Sequence, residues 1–344
     1  MPIINEHKMT TVPYQHKMAA HCESGTVTSL LNNAGLDITE PLVFGISSGI
    51  FFGYFHKMKS FTFPTFIVRN KPGDMRKNVS RRLGIKFHTE KFRDPVKGME
   101  KLDQLLEQGI PVAVQVDFFY MDYIPEWERV HINVHFIVVV GKNGSKYIVS
   151  DSYFPNLVEL EAESLRKARF AKGNMSPKGF LFYPIHIPKN PDYPKAISKG
   201  IKKACFNMLR IPIPFLGVKG IRMMGKKIVD WPLFARDTEH LSHEIMKINI
   251  LLEDQGTGGA GFRFMYASFL QQAAEMMKKT ALTEFSAKMM EIGDGWREIS
   301  LFSARIGKNR DLGKERLLEL GEMITGRAVV EEEFFRQLNK SMKS

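Results

Sequence analysis

The stretch HINVHFIVVVGKNGSKYIVSDSYF, residues 131–154, consists of two β-branched runs around Asn143-Gly144. Asn and Gly both tolerate positive φ, so this dipeptide between apolar runs marks a tight antiparallel hairpin. His135 opens the first run and Asp151 closes the second. Partners across a hairpin have a constant residue-number sum. A two-residue Asn143-Gly144 loop gives a sum of 287, which pairs His135 with Ser152 and turns Asp151 to the opposite face. One bulge, or an odd-length loop, near Asn143, Gly144 and Ser145 makes the sum even and brings His135 and Asp151 to one face. A carboxylate that fixes the tautomer of an imidazole makes the ring a usable base. His131 has the same parity, lies one step further from Asp151, and competes with His135 for that role.

A base of this kind serves a nucleophile, and Cys22 is the candidate. Val27, Leu30, Leu31 and Ala34 have helical spacing and Gly35 is a C-terminal stop, so the sequence predicts a helix over Cys22–Asn33. A cysteine on the first turn of a helix feels the partial positive charge of unpaired N–H groups, which favours thiolate. The competing reading is a small buried apolar residue. Oxyanion stabilisation would come from the Cys22 N–H and an upstream side chain, Gln15 or His16, in range by sequence.

The rest of the first half mixes strands and helices. Strands are predicted over 44–55, 63–70, 111–119 and 179–187, and helices over 73–83 and 95–108. After Pro188 the run PKNPDYPK reads as a linker. Beyond it the spacing is helical throughout, over about 192–210, 218–230, 238–253, 261–279, 282–305 and 312–341. The expected class is α+β with an antiparallel sheet over residues 1–189, followed by an all-α bundle over 190–344 that covers the cleft and binds carrier or substrate.

Composition excludes several classes. At 344 residues, 44% hydrophobic and 25% charged, the chain can bury one or two cores. The N-terminal MPIINEHKMTTVPYQHK lacks a signal-peptide apolar core, and no run approaches 18 apolar residues, so a cytoplasmic chain is expected. Cys22 and Cys205 match no metal or redox spacing, so neither a bound metal nor a disulfide framework is expected. The net charge is +12, and ten of the basic residues fall between Lys189 and Val229 against one acid, Asp192. Such a patch suits an acidic carrier protein or membrane headgroups. No aromatic stacking pattern accompanies it, so nucleic acid is not an expected partner.

Three stretches resemble the butirosin biosynthesis protein H family. HCESGTVTSLLNNAGLDITEPLVFGISSGIFFGYF (21–55) looks like its opening motif, HFIVVVGKNGSKYIVSDSYF (135–154) like its second, and GTGGAGFRFMYASFLQQAAE (256–275) like the hallmark of its helical domain. The order Cys, His, Asp is similar to papain-like peptidases that process bacteriocin leaders. The sequence departs at Ser152-Tyr153, where related chains tend to have proline. The resemblance implies a papain-like acyltransferase with Cys22 as acyl-accepting nucleophile, His135 as base and Asp151 as its orienter. In the protein that gives the family its name, the acyl group arrives as a thioester on the phosphopantetheine arm of an acyl carrier protein and passes to an amine of an aminoglycoside. No bound cofactor is implied; the phosphopantetheine belongs to the donor.

Two other functions fit the same residues. A cysteine peptidase or amidase would use the same thioester intermediate and resolve it with water. A noncatalytic binding protein for an apolar or anionic ligand would leave Cys22 inert. GTGGAGFR has no preceding strand and no Gly-Lys-Ser/Thr, which excludes a nucleotide loop. Arg263 and Tyr266, on the first turns after it, are candidate substrate contacts; a packed turn is the other reading. Oligomeric state, acyl group and acceptor are not legible.

Overall fold

A computed structural model describes residues 10–56 and 62–343. Part of the N-terminal stretch assessed above, residues 1–9, lies outside the described residues. The elements run β1 (Thr10–Thr11), α1 (Cys22–Asn33), α2 (Glu40–Ile46), β2 (Ile50–Phe55), β3 (Thr65–Arg69), α3 (Asp74–Leu83), β4 (Lys86–Glu90), α4 (Pro95–Glu107), β5 (Val112–Val116), β6 (His135–Asn143), β7 (Lys146–Ser150), β8 (Val158–Glu161), α5 (Ala162–Arg169) and β9 (Leu181–His186). There follow α6 (Tyr193–Leu209), α7 (Val218–Lys227), α8 (Thr238–Asn249), α9 (Arg263–Met277), α10 (Ala281–Lys308) and α11 (Lys314–Ser341). The class is α+β: a unit with an antiparallel sheet and a helical unit.

The chain divides into two compact units, residues 1–40 with 83–191, and residues 41–82 with 192–344. The sequence division at 190 marks only the last passage between them. Residues 41–82 go with the helices because their strands are short and form a separate two-stranded ribbon, β2–β3.

In the first unit the sheet order is β4-β9-β5-β6-β7-β8, with β1 paired to the far end of β6. Every pairing is antiparallel. α4 opens at Asp94, whose side chain accepts from the Val96 N–H at 2.8 Å, with Pro95 at its first position. Its Leu102, Leu105 and Leu106 bury against Val112, Val114 and Val116 of β5 and Ile137 and Val139 of β6. Each such side chain contributes about 1.5–3 kcal/mol on burial.

The β6–β7 register decides where His135 points. The turn has two residues, but they are Gly144-Ser145: Asn143 pairs with Lys146, Lys142 with Tyr147 and Gly141 with Ile148, a sum of 289. Between Gly141 and Val139 the register shifts, so that Val139 pairs with Val149 and Val138 with Ser150, a sum of 288. The expected irregularity is therefore a bulge at Val140, in the strand rather than at the turn. Its physical setting is β1: the Val12 N–H donates to the Val140 carbonyl at 2.8 Å. A Cβ on Gly141 would lie 2.6 Å from the Thr10 carbonyl oxygen, so only glycine lets β1 approach.

In the second unit, the strand expected over 44–55 begins only at Ile50. Glu40–Ile46 is helical instead, with Pro41 in its first turn where no intrahelical donor is needed. Ser47 Oγ donates to the Phe44 carbonyl at 2.7 Å and ends that helix. The six predicted C-terminal helices are present as α6–α11. Among the described residues, no helix is long and apolar enough to cross a membrane.

Candidate active site

α1 begins at Cys22 as its spacing predicts, and His21 is its N-cap, with Nδ1 accepting from the Ser24 N–H at 3.3 Å. The turn before it is clamped by Glu40. Its Oε2 accepts from the Ala20 N–H at 2.9 Å, and its Oε1 accepts from the His21 N–H at 2.9 Å and from Ser24 Oγ at 2.8 Å. Burial pushes the Glu40 carboxyl pKa up, against the pull of these three bonds. α1 lies close on the sheet: Thr26 Oγ1 donates to the Phe136 carbonyl at 3.2 Å, and a Cβ on Gly25 would stand 2.5 Å from Ala19 Cβ and 3.2 Å from Ser152 Cβ.

The Val140 bulge puts His135 and Asp151 on one face. His135 Nε2 donates to Asp151 Oδ2 at 2.8 Å, and both residues are buried. That leaves Nδ1 for the Cys22 sulfur, which is a side-chain hydrogen-bond partner of the ring. Cys22 is partly exposed, with its sulfur 3.9 Å from the Val134 carbonyl oxygen. Burial alone would lower the His135 pKa. The Asp151 charge, the Asp151 hydrogen bond and the Cys22 sulfur outweigh it and push the imidazole up to about 10. Burial would raise Asp151, but the His135 charge, with bonds from His135, the Tyr153 N–H and Tyr123, holds it below the usual range. Tyr123 Oη donates to Asp151 Oδ2 at 2.8 Å and the Tyr153 N–H donates to Oδ1 at 3.1 Å. The departure at Ser152-Tyr153 thus supplies a donor, the Tyr153 N–H, that a proline at 153 would lack.

His131 is not part of this file. Its Nδ1 bonds Asp117 Oδ2 at 2.8 Å, and its ring stacks on Phe119 at 4.1 Å between centroids.

Both upstream oxyanion candidates fail on geometry. The Gln15 N–H donates to Asn33 Oδ1 at 2.7 Å, so Gln15 sits at the last residue of α1. That is about 16 Å along the axis from Cys22, at 1.5 Å per residue. His16 has both ring nitrogens engaged: Nε2 donates to the Phe154 carbonyl at 2.8 Å, and Nδ1 accepts from Ser150 Oγ at 2.7 Å. Only the N–H groups of the first turn of α1, which have no intrahelical acceptor, remain of that expectation.

Arg263 and Tyr266 are not surface contacts either. Arg263 is sealed in the helical unit, where Nε and Nη2 reach Glu331 Oε1 at 3.1 and 2.9 Å and Nη1 donates to the Gly261 carbonyl at 2.8 Å. Its guanidinium lies 4.9 Å from the Trp296 ring. Tyr266 is fully buried beside Cys205, whose thiol burial pushes up to about 12. The glycine run before them is a packed turn: Gly256, Gly258, Gly259 and Gly261 all have positive φ, and Phe262 stacks on Phe44 at 4.8 Å.

Sequence reasoning missed Glu40, Tyr123 and Asp117. A glutamate opening a helix reads as an ordinary first-turn acid. Tyr123 and Asp117 lie in the long connection before β6, where no periodic pattern marks a partner.

The family model described as butirosin biosynthesis protein H, N-terminal, matches residues 21–152, which contain Cys22, His135 and Asp151. A second, the domain of unknown function DUF4872, matches residues 163–338. The chain therefore carries a butirosin biosynthesis protein H N-terminal domain and belongs, through its second half, to the DUF4872 family. All three residues of the file fall inside the range matched by the N-terminal model. No curated protein matches the sequence. Among solved structures, a chain described as a C39-like peptidase from Bacillus anthracis is 14% identical with a TM-score of 0.36, covering 53% of this chain and 100% of its own, a likeness too weak to carry an argument.

Proposed function

We propose that the protein is an acyltransferase that takes an acyl group from an acyl carrier protein thioester onto Cys22 and passes it to an amine or hydroxyl of a small-molecule acceptor. The observation that carries this is the file of thiol, imidazole and carboxylate, in which His135 Nε2 is 2.8 Å from Asp151 Oδ2 and the Cys22 sulfur bonds the same ring. In the first half-reaction the Cys22 sulfur, its proton held on His135, attacks the thioester carbonyl, a new C–S bond forms and the donor sulfur leaves with that proton. The developing oxyanion faces the N-terminal turn of α1, whose backbone dipoles stabilise it. In the second, an acceptor nitrogen or oxygen attacks, the C–S bond breaks, and the Cys22 sulfur recovers a proton.

Transfer is favoured over hydrolysis by the match of residues 21–152 to a family model named for a biosynthetic protein. The carrier donor is supported by α6, where Lys195, Lys199, Lys202, Lys203 and Arg210 are exposed in one stripe and Lys203 lies 4.5 Å from the Phe206 ring centroid. That face suits an acidic protein and the phosphate of its arm. Reaction with an acyl-loaded carrier tests the reading: acylated acceptor should appear only when acceptor is present. Free acid at the same rate with or without acceptor would make the protein a hydrolase.

A further inference from the structure

The chain contains a second histidine–carboxylate pair, which the Cys22 file does not use. Asp117 is 1% exposed and takes three bonds: from the Phe119 N–H at 3.2 Å, the Ile132 N–H at 3.0 Å and His131 Nδ1 at 2.8 Å. The His131 side chain is 61% exposed. Its ring is nevertheless held from two sides, stacked on Phe119 with an interplanar angle of 21° and edge-on to Tyr120 at 5.9 Å. An exposed side chain loses rotamer entropy when held this way, so the bonds to it must offset that cost. With the Nδ1 proton directed at Asp117, Nε2 carries the lone pair, and among the described residues nothing occupies it.

The pair is mounted beside the Cys22 file. Phe118 and Phe119 are consecutive in one 3-10 turn; Phe118 packs edge-on against His135 at 5.2 Å, and Phe119 stacks on His131. The Phe118 N–H donates to the Ile132 carbonyl at 3.1 Å, and two residues later the Val134 carbonyl lies 3.9 Å from the Cys22 sulfur. One short turn therefore seats both imidazoles, one buried at the thiol and one open to solvent.

We propose that His131, oriented by Asp117, is the base for the incoming acceptor, so that each half-reaction has its own imidazole. The inference rests on the acyltransferase reading. The acceptor nitrogen or oxygen attacks the Cys22 thioester carbonyl, a C–N or C–O bond forms, and its proton passes to His131 Nε2. The C–S bond then breaks and its electron pair returns to sulfur. His131 passes the acceptor's proton through water to the Cys22–His135 pair, restoring the resting state.

The test compares wild type with His131→Asn, a substitution at an exposed side chain. Each protein is loaded with butyryl N-acetylcysteamine thioester, and the acyl-Cys22 mass is followed with and without ethanolamine. General-base removal predicts that His131→Asn loads normally but that ethanolamine clears its acyl group about 10²-fold more slowly than in wild type, or worse. Equal decay in the two proteins overturns the role of His131 and leaves the acyltransferase reading standing. No label on wild-type Cys22 overturns the reading itself, and the inference with it.

Discussion

His135 and Asp151 meet at 2.8 Å because Val140 is bulged out of the β6–β7 ladder between them. Without that extra residue the pairing sum would stay odd, and the two side chains would stand on opposite faces of the sheet. The pair sets the charge state of the ring. In Asp151→Asn, burial acts on His135 without that counter-charge, so the imidazole pKa should fall from about 10. NMR titration of the His135 ring measures this. Alkylation of Cys22 by iodoacetamide at neutral pH should slow about 10²-fold in the same variant. An unchanged titration would show that Asp151 does not control the ring.

The same pair gives stability a definite pH dependence. His135 is raised from 6.5, so the stabilisation from its protonated form is complete below 6.5 and is lost as pH rises through about 10. Asp151 is depressed from 3.8, so its contribution is complete above 3.8 and is lost as pH falls through the lowered value. Thermal unfolding of wild type should therefore be most resistant between these limits and weaken toward pH 10. In Asp151→Asn the alkaline decline should shrink; a decline of the same size would point to other groups.

Glu40 is expected to matter as much for reactivity as for folding. Glu40→Ala removes the acceptor shared by the Ala20 and His21 N–H groups and Ser24 Oγ, a loss of about 1–3 kcal/mol. Glu40→Gln keeps an oxygen for His21 and Ser24 and turns an NH2 toward Ala20, so it should fall between Ala and wild type. Chemical denaturation combined with Cys22 alkylation rates tests the order, and Glu40→Ala reacting at the wild-type rate would remove Glu40 from the account.

Close approach of α1 to residue 152 depends on Gly25. Gly25→Ala forces a Cβ within 2.5 Å of Ala19 Cβ, and overpacking of this kind costs about 1–3 kcal/mol. Adding Ala19→Gly to Gly25→Ala should recover part of that loss, a non-additivity that neighbouring positions show. Strict additivity in the double variant would mean the clash is relieved elsewhere.

How much of this was legible follows from what each feature leaves in a sequence. The start of α1 shows in the spacing of Val27, Leu30 and Leu31, and the hairpin shows in Asn-Gly between β-branched runs. Parity required an irregularity, yet Val140 lies inside a run of three valines, so nothing in residue type distinguishes the bulged one. Gln15 was placed near Cys22 by sequence proximity; the 12 residues of α1 carry its partner Asn33 to the far end of the helix. Arg263 reads as a substrate contact because charged side chains are mostly exposed. Its partner Glu331 is 68 residues away, and such a pairing is set by tertiary packing alone.

The most direct measurement is peptide mapping of the protein after exposure to an acyl thioester. The account predicts one acyl addition on Cys22, absent in Cys22→Ala and strongly reduced in His135→Asn. A label on Cys205, or none on wild type, would contradict it.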